Sequence, residues 1–164
     1  MEKLLRSLNA CNDAMIWANG KTWPEIFETC HRGDWILWLF KRTNRGNLKL
    51  FTLAKGHCAN TVRHLMKDER STKAVDAAIA FGNGEITENE LAAYADAAAY
   101  ADAAADAYAA ADAYAAADAY AAADAAADAY AARKKNQQLT ADICRKYLPI
   151  EVWNISIDGE LITN

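Results

Sequence analysis

The stretch "DAYAAADAYAAADAAADAY", residues 112–130, constrains the fold more than any other part of this chain. It is the densest part of an Ala/Asp/Tyr tract over 87–135 that contains neither glycine nor proline. Alanine carries no helix-propensity cost and no bulk, so the tract predicts a helix whose neighbours can approach closely. Its start is well marked. Thr87 and Glu90 have capping-box spacing, and Ile86 and Leu91 occupy the two positions of a hydrophobic staple.

At about 100° per residue, Asp96, Asp102, Asp106, Asp118, Asp124 and Asp128 fall within an arc of roughly 160°. Tyr94, Tyr108 and Tyr130 lie opposite, and Asp112 falls on the tyrosine side. The expectation is a scaffold helix, wet along an acidic flank and packed along a smooth alanine and tyrosine flank. Its length is a difficulty. Forty-odd residues make a helix of ~60 Å, whereas a compact domain of this size is ~40 Å across. A break is therefore expected where the aspartate spacing shortens, at Asp102–Asp106 or Asp124–Asp128, with Asp112 turned outward by it.

The 164 residues suit one domain. The net charge of −4 hides a strong asymmetry. Between His31 and Lys73 ten basic residues face only Asp34, Asp68 and Glu69, leaving +7, whereas 91–132 holds seven aspartates and no base. The two halves are expected to attract one another, with part of each surface left for a partner. Cys11, Cys30, Cys58 and Cys144 have no CxxC spacing and read as reduced thiols. "MEKLLRSLNACND" lacks the apolar run of an export signal, and no stretch has the ~20 uncharged apolar residues of a membrane span. A cytoplasmic location is expected.

Elsewhere helical patterns dominate. Leu4, Leu8, Cys11, Met15 and Ala18 predict one helix from Glu2 to Asn19, ended by Gly20. "KTWPEIFETC" predicts a short helix with Pro24 in its first turn and Ile26, Phe27 and Cys30 inward, broken by Gly33. Asp34 is expected to cap "WILWLFKR", whose Trp35, Trp38 and Leu39 share a face. Asn47 is expected to cap a helix to about Lys67 through Phe51, Ala54, Cys58, Val62 and Leu65. Ser71 starts another through Val75, Ala78 and Ile79, stopped by "GNG". A last helix runs through Leu139, Ile143 and Tyr147 to Pro149. "NISIDGELIT" then has the alternation and Asp-Gly of a type I′ hairpin. The predicted fold is all-α, a single-domain bundle of five to seven helices over 1–153, with a minor C-terminal β-hairpin over 154–164.

Several of these segments carry a resemblance. "ACNDAMIWA", "TWPEIFETCHRGDWILWLF", the Ala/Asp/Tyr tract and "TADICRKYLPIEVW" together resemble a family of small bacterial and phage proteins labelled as immunity proteins. The likeness covers roughly 8–153; its Trp, Cys, Gly-Asp-Trp and Trp positions are present, with a longer spacing after Trp23. It implies an all-helical cytosolic protein of bacterial conflict systems that binds a toxin and occludes its active site. It supplies no catalytic residue. Phage members of such a family could instead act as counter-defence proteins against a host effector or its signal.

Two constellations could carry binding. In "CHRGDWILW", His31 and Arg32 could hold an anion while Trp35 and Trp38 stack on a flat group. "LAKGHCANTVRHLM" adds Lys55, His57, Arg63 and His64; His57 and His64, seven apart, would share one helix face with Lys67 nearby. Folded together these would form a basic, aromatic pocket for a phosphorylated ligand. The alternative is that the tryptophans are core and Arg32 and Asp34 form a salt bridge. Cys30-His31 and His57-Cys58 are poor metal pairs, because adjacent helical residues point about 100° apart. A Cys30 nucleophile would need His57 or His64 beside it, and a buried Asp112 would need Arg63 or Lys55. The "RGD" at 32–34 lies between apolar helices and is discounted as an adhesion motif. The tract lacks the threonine face of an ice-binding helix.

These observations favour a non-enzymatic protein with neither cofactor nor metal, neutralising a toxin or effector through the aspartate face. A basic partner such as a nuclease would suit it. The alternative is sequestration of a nucleotide immune signal in the basic, aromatic pocket. Neither nucleic acid nor membrane is called for as a partner, and a homo-oligomer is left open.

Overall fold

A computed structural model describes residues 1–44, 46–66, 68–99 and 126–162, with the backbone alone at 97–99 and 126–129. These residues are mostly helical. The α-helices are α1 (Glu2–Ser7), α2 (Asn12–Ala18), α3 (Trp23–Thr29), α4 (Gly33–Thr43), α5 (Leu48–Asn60), α6 (Glu69–Asn83), α7 (Glu88–Ala99) and α8 (Ala126–Tyr147). Short 3₁₀ turns follow α5 at Arg63–Leu65 and α8 at Ile150–Val152. None of the described helices is long and apolar enough to cross a membrane.

The core sits where α4 meets α8. Ile36, Leu37, Leu39 and Phe40 of α4 are buried against Ala141, Cys144 and Leu148. The helices meet closely because each presents a small residue: a Cβ at Gly33 would lie 2.7 Å from the carbonyl carbon of Thr140. α3 and the C-terminal segment close the other side through aromatic contacts. Trp153 lies 4.8 Å from Trp23 and 4.9 Å, nearly perpendicular, from Phe40, and rings in such tilted arrangements attract beyond their buried area. A second cluster, Ala59, Val62 and Val75, joins α5 to α6.

Several expectations are corrected. The first helix is two, so that eight α-helical segments lie among the described residues. Asn9 takes a left-handed backbone (φ 59), and the Ala10 amide bonds back to the Leu5 carbonyl at 3.0 Å. Asparagine tolerates that conformation because its side chain is short and polar, so α1 closes there and Cys11 becomes the N-cap of α2. Asp34 does not cap α4. Arg32 holds the N-cap position, and Asp34 sits in the first turn, paired with it. α5 ends at Asn60, not near Lys67, which lies outside the described residues. Thr61 Oγ1 bonds the Cys58 carbonyl, and the Thr61 and Val62 amides take i−3 partners. Asn47 is the N-cap of α5 without a side-chain bond, and Asp68, not Ser71, caps α6.

The last helix is continuous with the end of the alanine tract. Its core face is Thr140, Ala141 and Cys144, while Leu139, expected inside, is 47% exposed. The C-terminal hairpin does not form as strands. One antiparallel bridge joins Ile155 to Leu161, and a turn from Ser156 to Gly159 brings Gly159 (φ 80) against the backbone of Met1. With Ile155 buried in the main core and Asn154 bonded to the Thr43 carbonyl, helix contacts hold this segment where a longer ladder would otherwise be needed.

Candidate binding site

All five tryptophans of the chain line one cavity of about 450 Å³. Trp17 comes from α2, Trp23 from α3, Trp35 and Trp38 from α4, and Trp153 from the segment after α8. Thr22 and Glu25 fix the start of α3 with reciprocal capping bonds, and Pro24 sits in its first turn. The α2 side of the cavity is lined by Ala14 and Ala18, and Ala10 lies just before that helix. Those side chains are too short to fill the space between the large rings. The wall is mainly apolar, with Leu5, Ile26, Ile36 and Leu39 among the rings.

Among the described residues Asp34 is the one charged side chain of the lining, and Arg32 engages it through Nε and Nη2 of its guanidinium. Nε lies 2.8 Å from Oδ1 and Nη2 lies 2.5 Å from Oδ2. Both side chains are less than one-fifth exposed, and the guanidinium also lies 4.6 Å from the Trp35 ring centre. His31 sits 6.0 Å from Trp17 and 6.3 Å from Trp35. Burial first, then the neighbouring Arg32 charge, lowers its pKa and favours neutral imidazole. Trp38 receives Arg42 at 5.6 Å.

The basic residues predicted to complete this pocket are elsewhere. Lys55, His57, Arg63 and His64 are absent from its lining. Lys55 lies over Phe51 at 5.4 Å. His57 stacks flat on Tyr147, centroids 4.1 Å apart, and burial lowers its pKa. Arg63 is held by both oxygens of Asp76, at 2.5 and 2.8 Å, and exposed His64 sits in the 3₁₀ turn beyond the end of α5. His57 and His64 therefore do not share a helix face.

Cys30 is buried at the cavity wall, with its thiol directed to the Arg32 carbonyl at 3.5 Å and its pKa pushed up to about 11 by burial. A thiol so placed is a poor nucleophile at neutral pH. The described residues contain no group of three or more ligating side chains suited to a metal. Sequence reasoning missed the buried approach of Cys58 and Cys144, whose sulfurs are 3.7 Å apart, and the inward reach of Arg145. It also missed Trp17, Trp23 and Trp153 as members of one site.

Of the acidic tract, Glu88, Glu90 and Asp96 are exposed on α7, and so are Ala92, Ala93, Tyr94 and Ala95. Tyr94 is 43% and Tyr130 68% exposed, so these two tyrosines are not packed against neighbours as expected. Asp102, Asp106, Tyr108, Asp112, Asp118 and Asp124, and with them the expected break, lie outside the described residues, as does the side chain of Asp128. Comparison with known proteins returns nothing: no family model, curated protein or solved structure matches the chain.

Proposed function

We propose that this chain is a non-enzymatic binding protein of the immunity type, neutralising a toxin or effector of a bacterial conflict system in the cytoplasm. One observation carries the reading. On α7 both the acidic residues and the alanine and tyrosine residues are open, at the start of a tract with seven aspartates and no base over 91–132. A helix so exposed and so uniformly charged is suited to capture a basic partner, with the charge raising the encounter rate and the small side chains admitting close contact. The reactive groups offer less to chemistry. Arg63 is spent on Asp76, Arg32 on Asp34, and the thiols of Cys30 and Cys144 are buried with raised pKa values.

The test is affinity capture from host cells with the wild-type chain and with Asp96→Lys/Asp118→Lys/Asp124→Lys. A basic protein enriched by the wild type and lost by the variant supports the reading. Equal recovery by both removes the acidic tract from it.

A further inference from the structure

Neither the tryptophan cavity nor the acidic tract uses the buried thiols between α5 and α8. Cys58 of α5 and Cys144 of α8 come from helices packed on one another, and both side chains are fully buried. Their sulfurs lie 3.7 Å apart although the residues are 86 positions apart in the chain. The other polar neighbour of each sulfur is a main-chain oxygen. Cys58 Sγ is 3.7 Å from the Thr140 carbonyl, and Cys144 Sγ is 3.6 Å from the Gly33 carbonyl. A thiol is a weak donor, so little is lost when those contacts are given up. The hydrogen bond with Cys58, then burial, pushes the Cys144 pKa well up, with Arg145 opposing. A stabilised thiolate is what makes a disulfide easy to reduce, and this pair lacks one. Cys30 directs its thiol to the Arg32 carbonyl and Cys11 is exposed, so contact singles out Cys58 and Cys144.

We propose that Cys58 and Cys144 form a disulfide when the protein meets hydrogen peroxide, a reversible modification that clamps α5 to α8. One thiol gives up its proton and attacks a peroxide oxygen. The O–O bond breaks, leaving a sulfenic acid, and the departing hydroxide takes that proton as water. The second sulfur then attacks the sulfenic sulfur, the S–O bond breaks, and hydroxide leaves with the second thiol proton as water. The two sulfurs lose two electrons and the peroxide gains them. Closing from 3.7 Å to the ~2.05 Å of a disulfide needs about 1.7 Å of approach, which side-chain rotation and a small shift of α8 supply. Burial makes the reaction slow, because peroxide reaches the pair only when the helices part. The bond closes a loop over 58–144 that contains α6, α7 and the whole Ala/Asp/Tyr tract, so both ends of that stretch are tied to one link. In a reducing compartment such a bond is transient and reports oxidant.

The test uses the full chain carrying Cys11→Ser, which removes the exposed thiol and its cross-links between chains. Treated with hydrogen peroxide and mapped by mass spectrometry without reduction, it should give one dominant linked peptide, Cys58 to Cys144, that dithiothreitol removes. The oxidised form should melt roughly 5–15 °C higher than the reduced form, because closing so long a loop constrains the unfolded chain. Adding Cys58→Ser should abolish both the link and the shift. No linked peptide, sulfinic acid or a Cys30 link as the main product, or a linked form that melts no higher than the reduced one overturns the proposal. The link and the shift are read in a chain that keeps both core thiols, so the outcome does not depend on Cys58→Ser folding.

Discussion

Gly33→Ala tests the packing that holds the bundle together. The first residue of α4 touches α8 so closely that a Cβ would lie 2.5 Å from Thr140 Oγ1 and 2.7 Å from the Thr140 carbonyl carbon. Ordinary contact begins near 3.4 Å, so the helices must separate by most of an ångström. The obstacle includes backbone, which cannot rotate away. Overpacking of this kind costs about 1–3 kcal/mol. Alanine's helix propensity returns at most about 1 kcal/mol, and less in a first turn. The net expectation is a loss of about 1–2 kcal/mol, which for a chain of this length lowers Tm by roughly 3–8 °C. The Cys144 thiol, 3.6 Å from the Gly33 carbonyl, should loosen with it. Urea unfolding followed by tryptophan fluorescence measures the change. Gly46→Ala is the control, because a Cβ there meets nothing within 4 Å, and it should stay within about 0.5 kcal/mol of wild type. Gly33→Ala as stable as wild type, beside a neutral Gly46→Ala, would refute the close crossing of α4 and α8.

Arg145→Met should destabilise by about 1–3 kcal/mol. Its guanidinium donates to the Phe27 and Cys30 carbonyls at 3.1 and 2.8 Å, the end of α3 that has no other charged partner described, and unchanged urea stability would contradict that role. Thiol titration at neutral pH should find Cys11 reacting quickly in the native protein and all four cysteines in urea; a second fast thiol in the native state would mean that Cys30, Cys58 or Cys144 is not buried as described.

The sequence revealed helices better than their ends. The capping pair Thr87 and Glu90 forms as spaced, with the Thr87 amide 2.7 Å from the Glu90 carboxylate. Apolar periodicity placed Ile26, Phe27 and Leu39 inside. It misplaced the inner face of α8 because large side chains draw attention, whereas contact with Gly33 demands small ones, and Thr140 and Ala141 take the interior while Leu139 faces out. The split after α1 turns on one left-handed asparagine, a conformation that residue type permits without requiring it.

For the site, tryptophan identity signalled an aromatic cluster, but its basic complement dissolved into nearer pairings. Arg32 finds Asp34 two residues away, Arg63 finds Asp76 on the facing helix, and His57 finds Tyr147. Attraction over a few ångströms outweighs any longer-range gathering of like charges around a cavity. The cavity itself depends on three-dimensional convergence from α2, α3, α4 and the C-terminal segment, which no spacing within one element encodes. The T-W-P-E capping pattern that starts α3 at Trp23 is a local signal that the sequence does carry.

Salt-dependent association kinetics with the captured partner test the central proposal most directly. Wild type should associate fast at low ionic strength and slow steeply as salt rises, and Asp96→Lys/Asp118→Lys/Asp124→Lys should reduce the low-salt rate by about ten-fold or more and flatten that dependence. Equal rates and equal salt slopes for the two proteins would contradict capture through the acidic tract.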